Sequence, residues 1–70
     1  MKAKEIRALP TDDIKTNLEE AREELMNLRF QQATGELIDA TRLGYTRRLI
    51  ARYLTILRER EMEESREGES

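Results

Sequence analysis

Residues 27–37 read NLRFQQATGEL. The stretch begins in helical register and ends at Ala33-Thr34-Gly35, a helix stop in which Gly35 suits the left-handed residue that closes a C-terminus. What lies on either side decides the fold. Upstream, Ile14, Leu18, Ala21, Leu25 and Leu28 follow one another at steps of 4, 3, 4 and 3. That is the spacing of a coiled-coil seam and predicts a helix from about Asp12 to Gln32. Downstream, Leu43, Ile50, Leu54 and Leu57 form a second seam, widened by Leu49, Tyr53 and Ile56. It predicts a helix from about Ala40 to Met62, capped by Asp39 or Thr41. Two seamed helices joined by a short stop fold back as an antiparallel hairpin, with arms of about 30 Å at 1.5 Å per residue.

Outward from the hairpin, Pro10 ends a short helix over residues 2–9 that carries Ile6 and Leu9 on one side. Thr11 is the candidate cap of the next helix, and Asp12 and Asp13 suit its positive end. The expected fold is therefore all-α: a short N-terminal helix followed by a long antiparallel two-helix hairpin. Residues 1–62 form its single domain. The remaining residues, 63–70, are acidic, lack an apolar stripe and are expected to be disordered.

Composition narrows the chemistry. In 70 residues there is neither Cys nor His, so disulfides, thiolate metal sites and the usual near-neutral general base are all missing. No catalytic residue, metal site or cofactor is expected. Paired carboxylates need a cleft to shift their pKa values, and a two-helix seam has none. No apolar run approaches the ~20 residues of a membrane span, and MKAKEIRALP lacks the apolar centre of a signal peptide. Charged residues make up 40% of the chain and aromatics 4%, so the core is thin and leans on a partner.

The net charge of -2 is unevenly laid out. Residues 1–30 sum to -1, residues 31–60 to +3 and residues 61–70 to -4. All six basic residues of the middle segment are Arg, the residue suited to forked contacts with phosphate. Taking the Leu43–Leu57 seam as the inner side, Tyr45, Arg48, Arg52 and Thr55 fall opposite it, and Arg47 and Arg58 line its edge. No acid lies between Asp39 and Glu59, whereas a solubilising face mixes signs. The pattern points to nucleic acid or another polyanion. At the hairpin tip, Arg29 reaches outward, and Gln31, Gln32 and Thr34 offer hydrogen bonds to sugar and phosphate. Gly35 permits close backbone approach. Phe30 is expected to pack under the loop against Leu37 or Ile38 and brace it. Its alternative is to stack on a base.

Three segments also resemble one family. LRFQQATGEL, TRRLIARYLTILRER and the opening MKAKEIR are similar, in that order and without a gap over residues 1–60, to the ribosomal large-subunit protein L twenty-nine, whose eukaryotic relative is L thirty-five. Glu36, Asp39 and Gly44 depart from the usual family residues. The resemblance implies the same short helix and hairpin. It implies a structural, non-enzymatic protein bound to large-subunit rRNA near the nascent-chain exit, cytoplasmic, of bacterial type and monomeric within the ribosome. The implied neighbour is the exit-rim protein L twenty-three, in a region where a chaperone or targeting factor docks, with no membrane partner. The RNA-binding candidates are then Arg29, Phe30, Gln31, Thr34 and Gly35 at the tip and Arg42, Tyr45, Arg47, Arg48 and Arg52 beyond it. The competing reading is a non-ribosomal helical-hairpin adaptor or small coiled-coil dimer, for which the clean first seam is the motive. A dimeric helical enzyme binding a dicarboxylate through arginines, in the manner of small chorismate mutases, is a remote third.

Overall fold

A computed structural model describes residues 1–37 and 39–68. Among these, the chain forms α1 (Ala3–Arg7), α2 (Thr11–Thr34) and α3 (Ala40–Gly68), with no strand. α2 and α3 pack as an antiparallel hairpin and α1 packs on α3. The molecule is a rod of 54 × 19 × 15 Å.

Each helix end has a local cause. In α1 the Glu5 carboxylate accepts the Lys2 backbone N–H at 3.2 Å, satisfying one of the donors that a helix start leaves over. Pro10, extended at φ -59° and ψ 151°, is the N-cap of α2, and its carbonyl accepts the Ile14 N–H at 3.1 Å. Thr11, expected as the cap, is instead the first helical residue and makes no capping hydrogen bond. Its hydroxyl accepts from Arg60 of α3 at 2.9 Å. At the other end Gly35 takes φ 78°, and the carbonyls of Gln31 and Gln32 accept from the backbone of residues 35–37. Only a glycine reaches that left-handed position without strain. Asp39 caps α3, accepting the Thr41 N–H at 3.0 Å and the Thr41 hydroxyl at 2.6 Å through one carboxylate oxygen.

The core is a single cluster of Ile6, Ile14, Leu18, Ala21, Tyr53 and Ile56, flanked by Ala3, Leu9, Leu49, Ile50 and Leu57. Leu28 and Leu43 are buried nearer the tip. On α2 the expected seam holds, with Leu25 only half-buried. On α3 it is displaced. The buried residues are Leu43, Thr46, Tyr53 and Ile56, while Leu54 is 42% exposed. On a helical wheel this turns the inner side by about 60° from the Leu43–Leu57 seam. The reason is that α3 has two partners. It must face α2 and α1 at once, so its buried stripe is broad and centred between them. Thr46 is fully buried in this stripe, and its hydroxyl has no hydrogen-bond partner among the described residues.

α3 also runs further than expected. Over residues 63–68, where disorder was expected, the chain is helical. The segment is rich in Glu, with Arg66 in the last turn, and both residue types propagate a helix well. Glu69 and Ser70 lie outside the described residues.

Candidate nucleic-acid interface

A two-helix hairpin has two open flanks, and α1 covers one of them. On that flank the Met1 amine donates to the Tyr45 hydroxyl at 3.1 Å, and Arg52 donates to the Met1 carbonyl at 3.2 Å. Arg60 donates to the Arg7 carbonyl at 3.0 Å as well as to Thr11, and Arg7 pairs with Glu59 at 3.6 Å. Further toward the tip, Arg42 is held by Glu24 at 2.7 Å and lies 6.0 Å from the centre of the Tyr45 ring. Burial pushes the Tyr53 phenol above its ordinary pKa, and nearby Tyr45 and Glu20 add to the shift. Every arginine of this flank has a contact within the chain.

The opposite flank differs. The helical wheels of α2 and α3 set Arg22 and Arg29 on one rim and Arg47 and Arg58 on the other. Lys15 joins the α2 rim. Arg48 points away from α2 altogether. All six side chains are exposed. None of them forms a salt bridge or side-chain hydrogen bond among the described residues. Between the rims the floor is apolar and incompletely covered: Leu25, Ile50 and Leu57 are half-buried and Leu54 is exposed.

The sequence-derived candidates therefore divide. Arg29, Arg47 and Arg48 are unpaired among the described residues. Tyr45, Arg48 and Arg52 are all exposed, as expected of an outer face, but Tyr45 and Arg52 have a contact with Met1 and Arg42 one with Glu24, whereas Arg48 has none among the described residues. Arg22 and Arg58 were not among the sequence-derived candidates, although the α3 seam already sets Arg58 on its edge beside Arg47 and the α2 seam, which holds, fixes the position of Arg22. At the tip, Gly35 turns the chain as expected. Gln31 is half-buried, and the Thr34 hydroxyl donates back to the Phe30 and Gln31 carbonyls, both at 3.2 Å, which leaves it only acceptor capacity toward a ligand. Phe30 is 68% exposed, so it is not tucked beneath the loop; Leu37 is half-buried, and Ile38 lies outside the described residues.

Among the described residues no group of three or more His, Cys, Asp or Glu is placed to hold a metal ion. No helix there is long and apolar enough to cross a membrane. What the flank can do is electrostatic. Its guanidinium rows are not neutralised by the chain itself, and they can exchange bound counterions for phosphates.

Comparison with known proteins agrees with the sequence resemblance. The family model described as Ribosomal L29 protein matches residues 4–60. The large ribosomal subunit protein uL29 of Staphylococcus haemolyticus (strain JCSC1435) is 53% identical over 66 residues, covering 94% of this chain and 96% of the relative. The proteins of the same name from Staphylococcus aureus (strain JH9) and Staphylococcus carnosus (strain TM300) are 52% identical with the same coverage. With most of its length matched at this identity, the chain belongs to the ribosomal L29 protein family.

Proposed function

We propose that this chain is a structural constituent of the large ribosomal subunit and binds rRNA through the hairpin tip and the flank that α1 leaves open. That its relatives are large ribosomal subunit proteins supports the assembly. The observation that carries the RNA contact is the set of five exposed arginines, Arg22, Arg29, Arg47, Arg48 and Arg58, that make no ion pair among the described residues. Arg29 with Gln31 and Thr34 contacts backbone at the tip, and Gly35 lets the chain come close. Arg42, Tyr45 and Arg52 contribute at the margin, since each already holds a partner. Recognition is of RNA shape and phosphate position rather than base sequence. The protein performs no catalysis; it bridges rRNA segments and neutralises their charge. The same reading sets it in the cytoplasm, monomeric within the ribosome and near the nascent-chain exit. Its neighbour there is L twenty-three, in reach of a docking chaperone or targeting factor.

Co-sedimentation with large subunits before and after a high-salt wash tests this. Retention at moderate salt and release at high salt are expected. A chain that sediments as a free dimer instead would favour the helical-adaptor reading, for which the incompletely covered Leu25, Ile50, Leu54 and Leu57 floor would be the contact.

A further inference from the structure

The most exposed large apolar side chains among the described residues sit together near the tip: Met26 at 70% and Phe30 at 68%. They are four residues apart, hence one above the other on the face of α2 turned away from α3. Ala33, exposed on the following turn, extends the strip. Neither residue belongs to the core cluster. Among the described residues no interaction explains an aromatic ring exposed on a helix.

The surroundings say what fits. From Leu25 to Gly35 the sequence holds no acid and one base, Arg29, which is exposed beside the strip and unpaired. The nearest acid on the same face is Glu23, one turn before Met26. The strip is convex and narrow. Two side chains of this size offer roughly 300–400 Å², well short of the ~800 Å² per partner that a stable protein interface covers. It is ample for one flat nucleobase. A base laid on the ring spans the ~6 Å of one helical turn to the Met26 thioether, and its phosphate then lies within reach of Arg29. Stacking needs no particular base, because every base presents a π-face.

We propose that Phe30 and Met26 form a stacking ledge for a single unpaired base of the large-subunit rRNA, with Arg29 on the adjoining phosphate. This rests on the rRNA-binding function above. It assigns Phe30 a direct ligand contact in place of the loop-bracing role.

The test uses the full chain carrying the photoreactive residue benzoylphenylalanine at position 30, assembled into large subunits and irradiated. Adducts to rRNA are expected. Adducts to a ribosomal protein, or no adduct from an assembled chain, would overturn the ledge and leave the ribosomal assignment standing. Failure of the unmodified chain to enter subunits would overturn the ribosomal assignment itself. An affinity series on large-subunit rRNA covers the case in which the bulky replacement blocks assembly. Phe30→Ala and Phe30→Leu are both expected to lose about 5- to 100-fold with an unchanged salt slope, while Phe30→Tyr retains binding. Full affinity in Phe30→Leu would show apolar packing without stacking and overturn the proposal.

Discussion

The two flanks of the hairpin both carry arginines and use them in opposite ways. On the covered flank, Arg42, Arg52 and Arg60 are tied to Glu24, Met1, Thr11 and Arg7, and beneath them Ile6, Tyr53 and Ile56 are buried. On the open flank, Arg22, Arg29, Arg47 and Arg58 face solvent with no partner, and the leucines beneath them are incompletely covered. The short α1 thus sorts one charge type into two functions. Where it packs, guanidinium groups hold the fold together; where it does not, they remain available to an outside anion.

Substitutions can break this contrast, beginning with the core of the covered flank. Ile56→Ala removes a fully buried side chain at the junction of all three helices and should cost about 2–5 kcal/mol. In so small a domain that is enough to unfold most of the free protein, read as loss of helical circular dichroism at 25 °C. Leu54→Ala, the matching aliphatic truncation on the open flank, should cost less than about 1 kcal/mol. Equal losses would mean that the flanks do not differ in burial.

Arg60→Ala should come next, destabilising by about 1–2 kcal/mol. It removes the donor to Thr11 and Arg7 from a half-buried side chain whose stem also packs. Arg58→Ala, two residues away and unpaired, should leave the thermal midpoint unchanged. Thr46→Val should go the other way and stabilise by about 1 kcal/mol, because it replaces a buried hydroxyl that lacks a partner with a methyl group. A lower midpoint would show that the Thr46 hydroxyl is satisfied in solution.

The smallest effect is at the N-terminus of α3. The Thr41 hydroxyl and backbone N–H, with Arg42 nearby, hold the Asp39 carboxyl below its ordinary pKa. A depressed folded-state value means the cap contributes above the unfolded carboxylate pKa of about 3.9 and loses that contribution as pH falls through the lower, folded one. The protection of the amides over residues 40–43, taken relative to their intrinsic exchange rates at each pH, should therefore fall on acidification below about pH 4. In Thr41→Val, which lacks the hydroxyl donor, the change should begin at higher pH.

Much of this was legible in the sequence. The 4-3-4-3 spacing of Ile14 to Leu28 located α2 and its inner side, and the Thr34-Gly35 stop located the turn, because both are local chemistry. The inner side of α3 was not, because heptad spacing finds the edge facing one partner and α3 has two. Tyr53 and Ile56, treated as widening the seam, are its centre, and Leu54 lies outside it. That displacement carried over to the candidate site. Arg52 and Tyr45, expected on an open face, are engaged by Met1. The position of Phe30 was likewise a tertiary matter: a Phe beside a turn normally packs, and only the folded structure shows its ring exposed.

The most direct test compares the salt dependence of binding to large-subunit rRNA for the wild type, an open-flank variant (Arg22→Ala, Arg47→Ala and Arg58→Ala together) and the single variant Arg52→Ala. With about five phosphates neutralised, the wild-type log affinity should fall by roughly 4 per log unit of salt. The open-flank variant should bind more weakly at low salt, and its slope should be shallower by about 2–3, with helicity unchanged. Arg52→Ala should keep nearly the full slope. A wild-type slope in the open-flank variant, or a larger change from Arg52→Ala than from the three substitutions together, would contradict the division between the flanks.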